Sequence, residues 1–504
     1  MPTSNRPLVL LLVASGLLVT SGSVSAASPP NVILFATDDL CDWVGPMGHT
    51  QAVTPNLDRL ARSGVTFTNA QSPGTFCAPS RTAIFTGQYA STTGCYTTQV
   101  YFHEKPELLP LQASFQQAGY ATYGAGKLFH HPAGYIDQRG WNEFYLRTEK
   151  QRQEGWPLDS WGDGTPIPQP YPNSRYNQGR VPANRFFLEW GPVPDELEEE
   201  MADTIRTNWA CEVLGREHEK PFFLAVGLYA PHFPNYAPQK YFDLYDTSKI
   251  KAPPYKDNDL DDLPPKIRRQ KIARRKQHHE RLVEIGAVED AIHGYLASVT
   301  YADAMLGRVL DALEVSPHAD NTLIVFWSDH GYHHGEKGDW GKHTLWERTS
   351  NVPFIWAGPG VAKNQSVDAT VSLIDIYPTF AERCNLPTKN DLEGVSQAAV
   401  LENPSTAQDR DVFLPYLTPG AYAIINQDWR YIRYDDGTEE LYDTQHDPNE
   451  WRNLAGREDR SEIKASMRAQ APASFAPAGA SRDRLQLVLD KQDYHWRTKL
   501  PRDQ

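Results

Sequence analysis

The chain has 504 residues, 40% hydrophobic, 22% charged and 11% aromatic, with 13 Trp, 24 Tyr and 19 Phe. That excludes a chain disordered throughout and leaves room for two or three domains. The formal net charge of −14 argues against a nucleic-acid-binding protein, which at this size is normally basic overall.

The N-terminus reads as a secretory leader: Arg6, an apolar run over 8–19, then small residues Ser23, Ser25 and Ala26, with cleavage near Ala26 or Ala27. The run is shorter than the roughly 20 residues a membrane span needs, so an exported, soluble product is expected, periplasmic or secreted, with no membrane association once the leader is removed. Five cysteines (Cys41, Cys77, Cys95, Cys211, Cys384) are too few for a disulfide scaffold, and their odd number leaves a thiol to explain. Cys77 is the candidate.

After the leader, Asn31-Val-Ile-Leu-Phe-Ala-Thr37 is a continuous apolar run ending in Asp38-Asp39, as expected of a strand buried on both faces of a parallel sheet. Runs of the same form begin at Pro221, Thr322 and Val352. Between them, Thr54-Pro55 to Gly64 reads as a helix with an N-cap, a Pro at its first position and a terminal Gly. Ile292, Leu296, Val299, Met305, Leu306, Val309, Leu310 and Leu313 recur near helical spacing. Alternating strands and helices predict an α/β fold with a large, mainly parallel sheet flanked by helices. Residues 150–195, rich in Trp, Pro, Gly and Asn, read as long surface loops. The basic run 266–281 reads as a solvated helix face, with docking of a polyanionic substrate as the functional alternative and no part in ordering a catalytic group. After about residue 405, short alternating runs and Asp436-Gly437 predict a smaller antiparallel subdomain with a hairpin. The expected organisation is a leader over 1–26, a catalytic α/β domain over 27–404 and a C-terminal subdomain with its tail over 405–504.

The polar residues fall in a telling place. Ligands of open α/β sheets bind beyond the carboxyl ends of the strands, and there the sequence puts Asp38-Asp39, His232 and Asp329-His330. Each alone is weak. Together on one edge they suggest a site for a hard cation, with His330 the awkward donor.

Cys77-Ala78-Pro79-Ser80-Arg81, followed by Thr86-Gly87, resembles the signature of the type I sulfatases of the alkaline phosphatase superfamily. The resemblance runs from Asn31 to about Ala455 and looks closest to the iduronate-2-sulfatase branch, through Gly126-Lys127 with His130, Pro231-His232-Phe233-Pro234, Ser328-Asp329-His330-Gly331 and Trp340-Gly341-Lys342. It implies an alkaline-phosphatase-like fold and hydrolysis of sulfate esters on a carbohydrate. It implies that a formylglycine-generating maturation enzyme oxidises Cys77, whose hydrated aldehyde is the nucleophile. One calcium ion per chain would be held by Asp38, Asp39, Asp329, His330 and the modified Cys77. By the same resemblance Arg81 holds the hydrate, Lys127 and Lys342 bind the sulfate oxygens, His130 is the base that helps expel sulfate, and His232 protonates the leaving alcohol.

The chemistry suits these residue types. A sulfate monoester repels nucleophiles until cations neutralise its oxygens, and an alkoxide leaves poorly without a positioned acid. A Lys often precedes the Pro-His pair in the iduronate branch, whereas this chain has Ala230. The loop over 331–345 carries its own His333, His334 and Lys337. A phosphoester or phosphonate hydrolase of the same superfamily, or a non-catalytic binder of sulfated glycans, are the competing readings.

Overall fold

A computed structural model describes Met1, residues 29–130, 137–145 and 188–480, and the paired strands Leu485–Asp490 and Asp493–Thr498. The expected leader and most of the 150–195 segment lie outside the described residues.

Eight strands build the main sheet: β1 (Asn31–Thr37), β2 (Gly64–Phe67), β3 (Ala121–Gly126), β4 (Glu143–Tyr145), β5 (Phe222–Gly227), β6 (Thr322–Ser328), β7 (Phe354–Ala357) and β8 (Gln365–Val367). Their order is β8-β2-β7-β6-β1-β5-β3-β4. β1 is central, parallel to β5 with Val32 opposite Phe223 and to β6 with Val32 opposite Leu323. All seven of its residues are buried. Ile33 and Phe35 join the core on one face, under α4 (Ala202–Leu214) and α6 (Val288–Glu314). Val32, Leu34 and Ala36 join the core on the other, under α2 (Cys77–Thr86), α3 (Leu111–Gln117) and α7 (Ile376–Arg383). Burial on both faces is why these strands read as unbroken apolar runs.

β7 departs from the expected form. It is antiparallel to both β2 and β6. No long helix separates it from β6, so the chain loops at the strand-end edge through residues 329–351 and re-enters the sheet from that side.

The helix starting at Pro55, α1 (Pro55–Arg62), is present, but its ends work differently from the sequence reading. The Thr54 hydroxyl accepts from Gly45 N at 2.9 Å and does not cap the helix. The first amides, Asn56 N and Leu57 N, donate instead to Asp303 on α6, at 3.1 and 2.7 Å. Gly64 is not a helix terminator; it starts β2, where a Cβ would fall 1.9 Å from Trp356 O. Residues 190–193 are also not loop: Trp190–Val193 pairs in parallel with Asn235–Pro238, and the Trp190 side chain sits against Gly294 of α6.

The C-terminal antiparallel sheet runs in chain order through β9 (Val412–Pro415), β10 (Tyr422–Ile425), β11 (Trp429–Arg433) and β12 (Glu439–Asp443). Asp436-Gly437 makes the expected turn between the last two strands, Gly437 with φ +82°. One face of this sheet packs on Ile267 of α5 (Pro265–Gln277) and on Leu345 and Trp346. It therefore braces the loop that follows β6. No disulfide links any of the five cysteines.

Candidate active site

The ends of four parallel strands deliver the polar residues. Asp38 and Asp39 follow β1, Lys127 and His130 follow β3, His232 follows β5, and Asp329 and His330 follow β6. Asp39 turns at once into the left-handed region, φ +62°, a conformation Asp tolerates better than most residues. Cys77 enters from outside the sheet as the first residue of α2, where helix amides and the macrodipole favour negative charge.

These residues converge. Cys77 Sγ lies 3.4 Å from Asp38 Oδ1, 3.2 Å from His330 Nε2 and 3.2 Å from Lys342 Nζ. Lys342 Nζ also donates to Asp39 Oδ1 at 2.7 Å, and Lys127 Nζ pairs with Asp38 Oδ2. Arg81 sits one turn after Cys77 on the same helix face. Its Nε donates to Asp329 Oδ2 at 2.9 Å, Nη2 to Thr37 O at 3.1 Å, and Nη1 to Lys127 O. That one guanidinium ties together the ends of β1, β3 and β6. Ser80 Oγ adds a bond to Asp329 O at 2.6 Å, so the Ser and Arg of the motif both lock its helix to the sheet edge.

Asp38, Asp39, Asp329 and Cys77 are wholly buried. Burial pushes the Asp39 carboxyl up to about 7 against the pull of Lys342. Burial also opposes ionisation of Asp329, but Arg81, followed by His330 and Lys127, outweighs it and holds that carboxyl well below the usual range. Burial lowers His330 to about 3, leaving a neutral imidazole. Burial raises the Cys77 thiol, so as cysteine it is a protonated, weak nucleophile.

Donor atoms of Asp38, Cys77, Asp329 and His330 lie within 4.8 Å of one another, as do those of Asp38, Asp39, Cys77 and His232. Asp39 Oδ2 has no hydrogen-bond partner among the described residues. Three buried carboxylates crowded this closely, one with an oxygen unpartnered, fit a divalent cation with a preference for oxygen.

Above this floor opens a cleft of about 310 Å³, lined among others by Asp39, His130, His232, Arg274, Lys342 and His343. Sites for small ligands are typically about this size or larger. His232 Nε2 stands 3.6 Å from Asp39 Oδ2, while its Nδ1 is held by Tyr229 Oη at 2.8 Å and by Phe233 O. His130 meets the edge of Phe76, ring centroids 4.8 Å apart.

A family model described as Sulfatase matches residues 30–386. The chain belongs to the sulfatase family. Sulfatases hydrolyse sulfate esters, and this chain is such an enzyme by family. A second model, described as N-sulphoglucosamine sulphohydrolase, C-terminal, matches residues 335–474 of this sulfatase. It is 38% identical to a protein named sulfatase from Formosa agariphila over 84% of this chain and 83% of that one. It is 30% identical to human iduronate 2-sulfatase over 71% of this chain and 66% of that one. Its fold matches a structure solved in complex with its substrate D-glucosamine-2-N,6-O-disulfate, TM-score 0.65 at 22% identity, covering 88% of this chain and 96% of the other.

Every site residue expected from the sulfatase resemblance thus lies at or beside one cleft. The loop after β6 is different. His333, whose Nε2 is 2.9 Å from Thr344 Oγ1, and His334, its ring tilted against Tyr295 with centroids 3.7 Å apart, point into the protein, and Lys337 pairs with buried Asp259 at 3.2 Å. The short hairpin pairing His333 with Gly341 turns them inward. Sequence reasoning missed Tyr229, Phe76 and His343, and it misjudged the basic run. Lys271 and Arg274 of α5 both bind Asp339, three residues before Lys342, so this run does order the loop that carries Lys342.

Proposed function

We propose that this sulfatase removes sulfate from a sulfated carbohydrate, with Cys77 oxidised to formylglycine by a separate maturation enzyme and one calcium ion bound by Asp38, Asp39, Cys77, Asp329 and His330. The observation that carries the reading is the position of Cys77: on the cleft floor, at a helix N-terminus, with Lys342 and two candidate metal ligands within 3.4 Å. Once installed, the hydrated aldehyde supplies one hydroxyl to attack sulfur and a second to expel the sulfate, and calcium supplies positive charge to the oxygens around it.

The chain's own residues do the rest. Lys127 and Lys342 neutralise the sulfate oxygens that would repel a nucleophile, and being already held by carboxylates they need little reorganisation to do so. Arg81 keeps the strand ends and α2 in register under the substrate. His232, fixed through Nδ1, presents Nε2 to the leaving oxygen. His130, beside Phe76 in the same cleft, takes the proton that the remaining hydroxyl gives up as sulfate departs. A leader over residues 1–26, as the sequence reads, would export this sulfatase to the periplasm or beyond the cell, where it would meet its sulfated carbohydrate.

The test is sulfate release by matured enzyme from a panel of defined sulfated mono- and disaccharides, with phosphate monoesters alongside. Turnover of at least one sulfated sugar is expected. Faster turnover of the phosphate esters would replace this reading with a phosphoester hydrolase, and binding without turnover would replace it with a lectin-like role.

A further inference from the structure

The basic segment 266–281 is sorted by α5 into two faces. Arg268, Arg269 and Lys276 are exposed, while Ile267 and Lys271 are buried and Arg274 and His278 half-buried. The inward four fall at steps of four, three and four, one stripe of a helix. Ile267 packs with Leu345 and Trp346, and farther along Arg274 and His278 reach the cleft that holds Lys342.

Arg274 is firmly placed there. Its Nε donates to Asp339 Oδ1 at 2.9 Å and its Nη2 to Trp340 O at 3.3 Å. Lys271 Nζ takes the other oxygen, Asp339 Oδ2, at 2.8 Å. One buried carboxylate therefore binds two cations. The guanidinium also lies against Gly341, where a Cβ would fall 2.0 Å from Nη2, so only glycine lets it approach the backbone next to Lys342 this closely.

We infer that Arg274 determines specificity by holding a second anionic group, a carboxylate or a second sulfate, on the same sugar whose scissile sulfate faces Lys342 and Cys77. This rests on the proposed function and narrows its substrate class. A planar guanidinium already fixed by two hydrogen bonds suits an oxyanion and loses little side-chain entropy on binding it. The cleft wall beside it includes Phe233, Tyr332 and Trp340, which offer a sugar a stacking surface but no negative charge, so within the cleft wall Asp39 is the carboxylate, and it is already paired with Lys342.

The experiment compares a neutral monosulfated hexose, the matching sulfated uronic acid, the matching disulfated hexose and an aryl sulfate. Matured enzyme should favour at least one of the two doubly anionic sugars over the neutral one by roughly tenfold in kcat/KM, and which one shows whether the second group is carboxylate or sulfate. Lys271→Met, which touches Asp339 but not the cleft, should shift all substrates by a common factor. Arg274→Gln also loses Asp339, so it should shift the neutral and aryl substrates by a similar factor and, beyond that, erase the preference through KM, with Arg274→Lys restoring part of it. A uniform loss in Arg274→Gln that leaves the preference intact, or no preference in the unaltered enzyme, overturns the inference. If no substrate releases sulfate, the aryl sulfate included, the proposed function fails. Calorimetric binding of the same sugars to Cys77→Ser protein then decides the subsite alone: a tenfold loss with Arg274→Gln supports it and equal binding overturns it.

Discussion

Lys342 Nζ stands 3.2 Å from Cys77 Sγ and 2.7 Å from Asp39 Oδ1, although 265 positions separate the lysine from the cysteine. The three elements that carry these residues meet only because β1 and β6 are neighbours and the loop after β6 folds back over the sheet edge. Asp39 and Asp329 outweigh the cost of burying the ammonium, so Lys342 stays charged above its ordinary range. Lys342→Ala should therefore lower kcat about 10²- to 10³-fold, the scale for losing one preorganised donor to a reacting oxyanion, measured on an aryl sulfate. A change confined to KM would assign Lys342 to ground-state binding instead.

Cys77 is buried and its thiol raised, so unmodified protein should be inactive. Peptide mass spectrometry of active enzyme should show loss of the thiol and gain of an aldehyde at residue 77. Fully active material carrying only cysteine there would end the formylglycine mechanism. Cys77→Ala should abolish turnover.

The strand-end residues were legible because each follows an apolar run, Asp38 directly after β1, Asp329 directly after β6 and His232 a few residues after β5. Their shared edge follows from parallel strands alone. The direction of β7 was not legible, since an apolar run buried on both faces looks the same in either orientation. Arg274 was hidden differently. Its stripe is mostly basic, so no apolar periodicity marked the inward face, and only the pairing with Asp339 reveals it. The sequence showed only that the loop over 331–345 carries its own His333 and His334; the two-residue pairing with Trp340-Gly341, which turns them away from the cleft, left no signal in it. Tyr229 could not be told from an ordinary core aromatic until its hydroxyl was seen 2.8 Å from His232 Nδ1.

Chelation of divalent cations should remove activity, and calcium should restore it better than zinc, because the donors are mainly hard oxygens. The same treatment should lower Tm, since binding at about 100-fold over Kd is worth about 2.7 kcal/mol of stability. Asp38→Ala and Asp329→Ala should each weaken calcium binding, read by titration of the metal-free protein. Full activity or an unchanged Tm after chelation would refute a bound metal.

Asp303 offers a test of the fold separate from the chemistry. Its carboxylate accepts from Asn56 N, Leu57 N and Asn56 Nδ2 at 3.1, 2.7 and 2.9 Å, doing the capping that Thr54 does not. Asp303→Ala leaves buried amides unpaired and should destabilise the protein by about 1–3 kcal/mol in urea unfolding, with turnover of an aryl sulfate by the folded enzyme unchanged. A loss under about 0.5 kcal/mol, the range of ordinary surface changes, would show that water or Thr54 replaces the cap.

His232 and His130 face the cleft from different supports, and this predicts different failures. His232 is buried, its Nδ1 held by Tyr229 Oη and Phe233 O, so Nε2 is the atom left to face a ligand. A rigid donor is what protonation of a leaving alkoxide requires, an effect of roughly 10²–10⁴-fold. A phenolate leaves without that help. His232→Ala should therefore damage turnover of sugar sulfates strongly and of aryl sulfates much less. His130 rests edge-on against Phe76, 4.8 Å between centroids, and in the proposed mechanism it would serve the departure of sulfate, a step common to every substrate. His130→Ala should slow both substrate types by the same factor. Equal losses on sugar and aryl sulfates for His232→Ala would move the acid to another cleft imidazole. His343 and His278 are then the candidates, since both line the cleft, whereas His333 and His334 are turned into the protein.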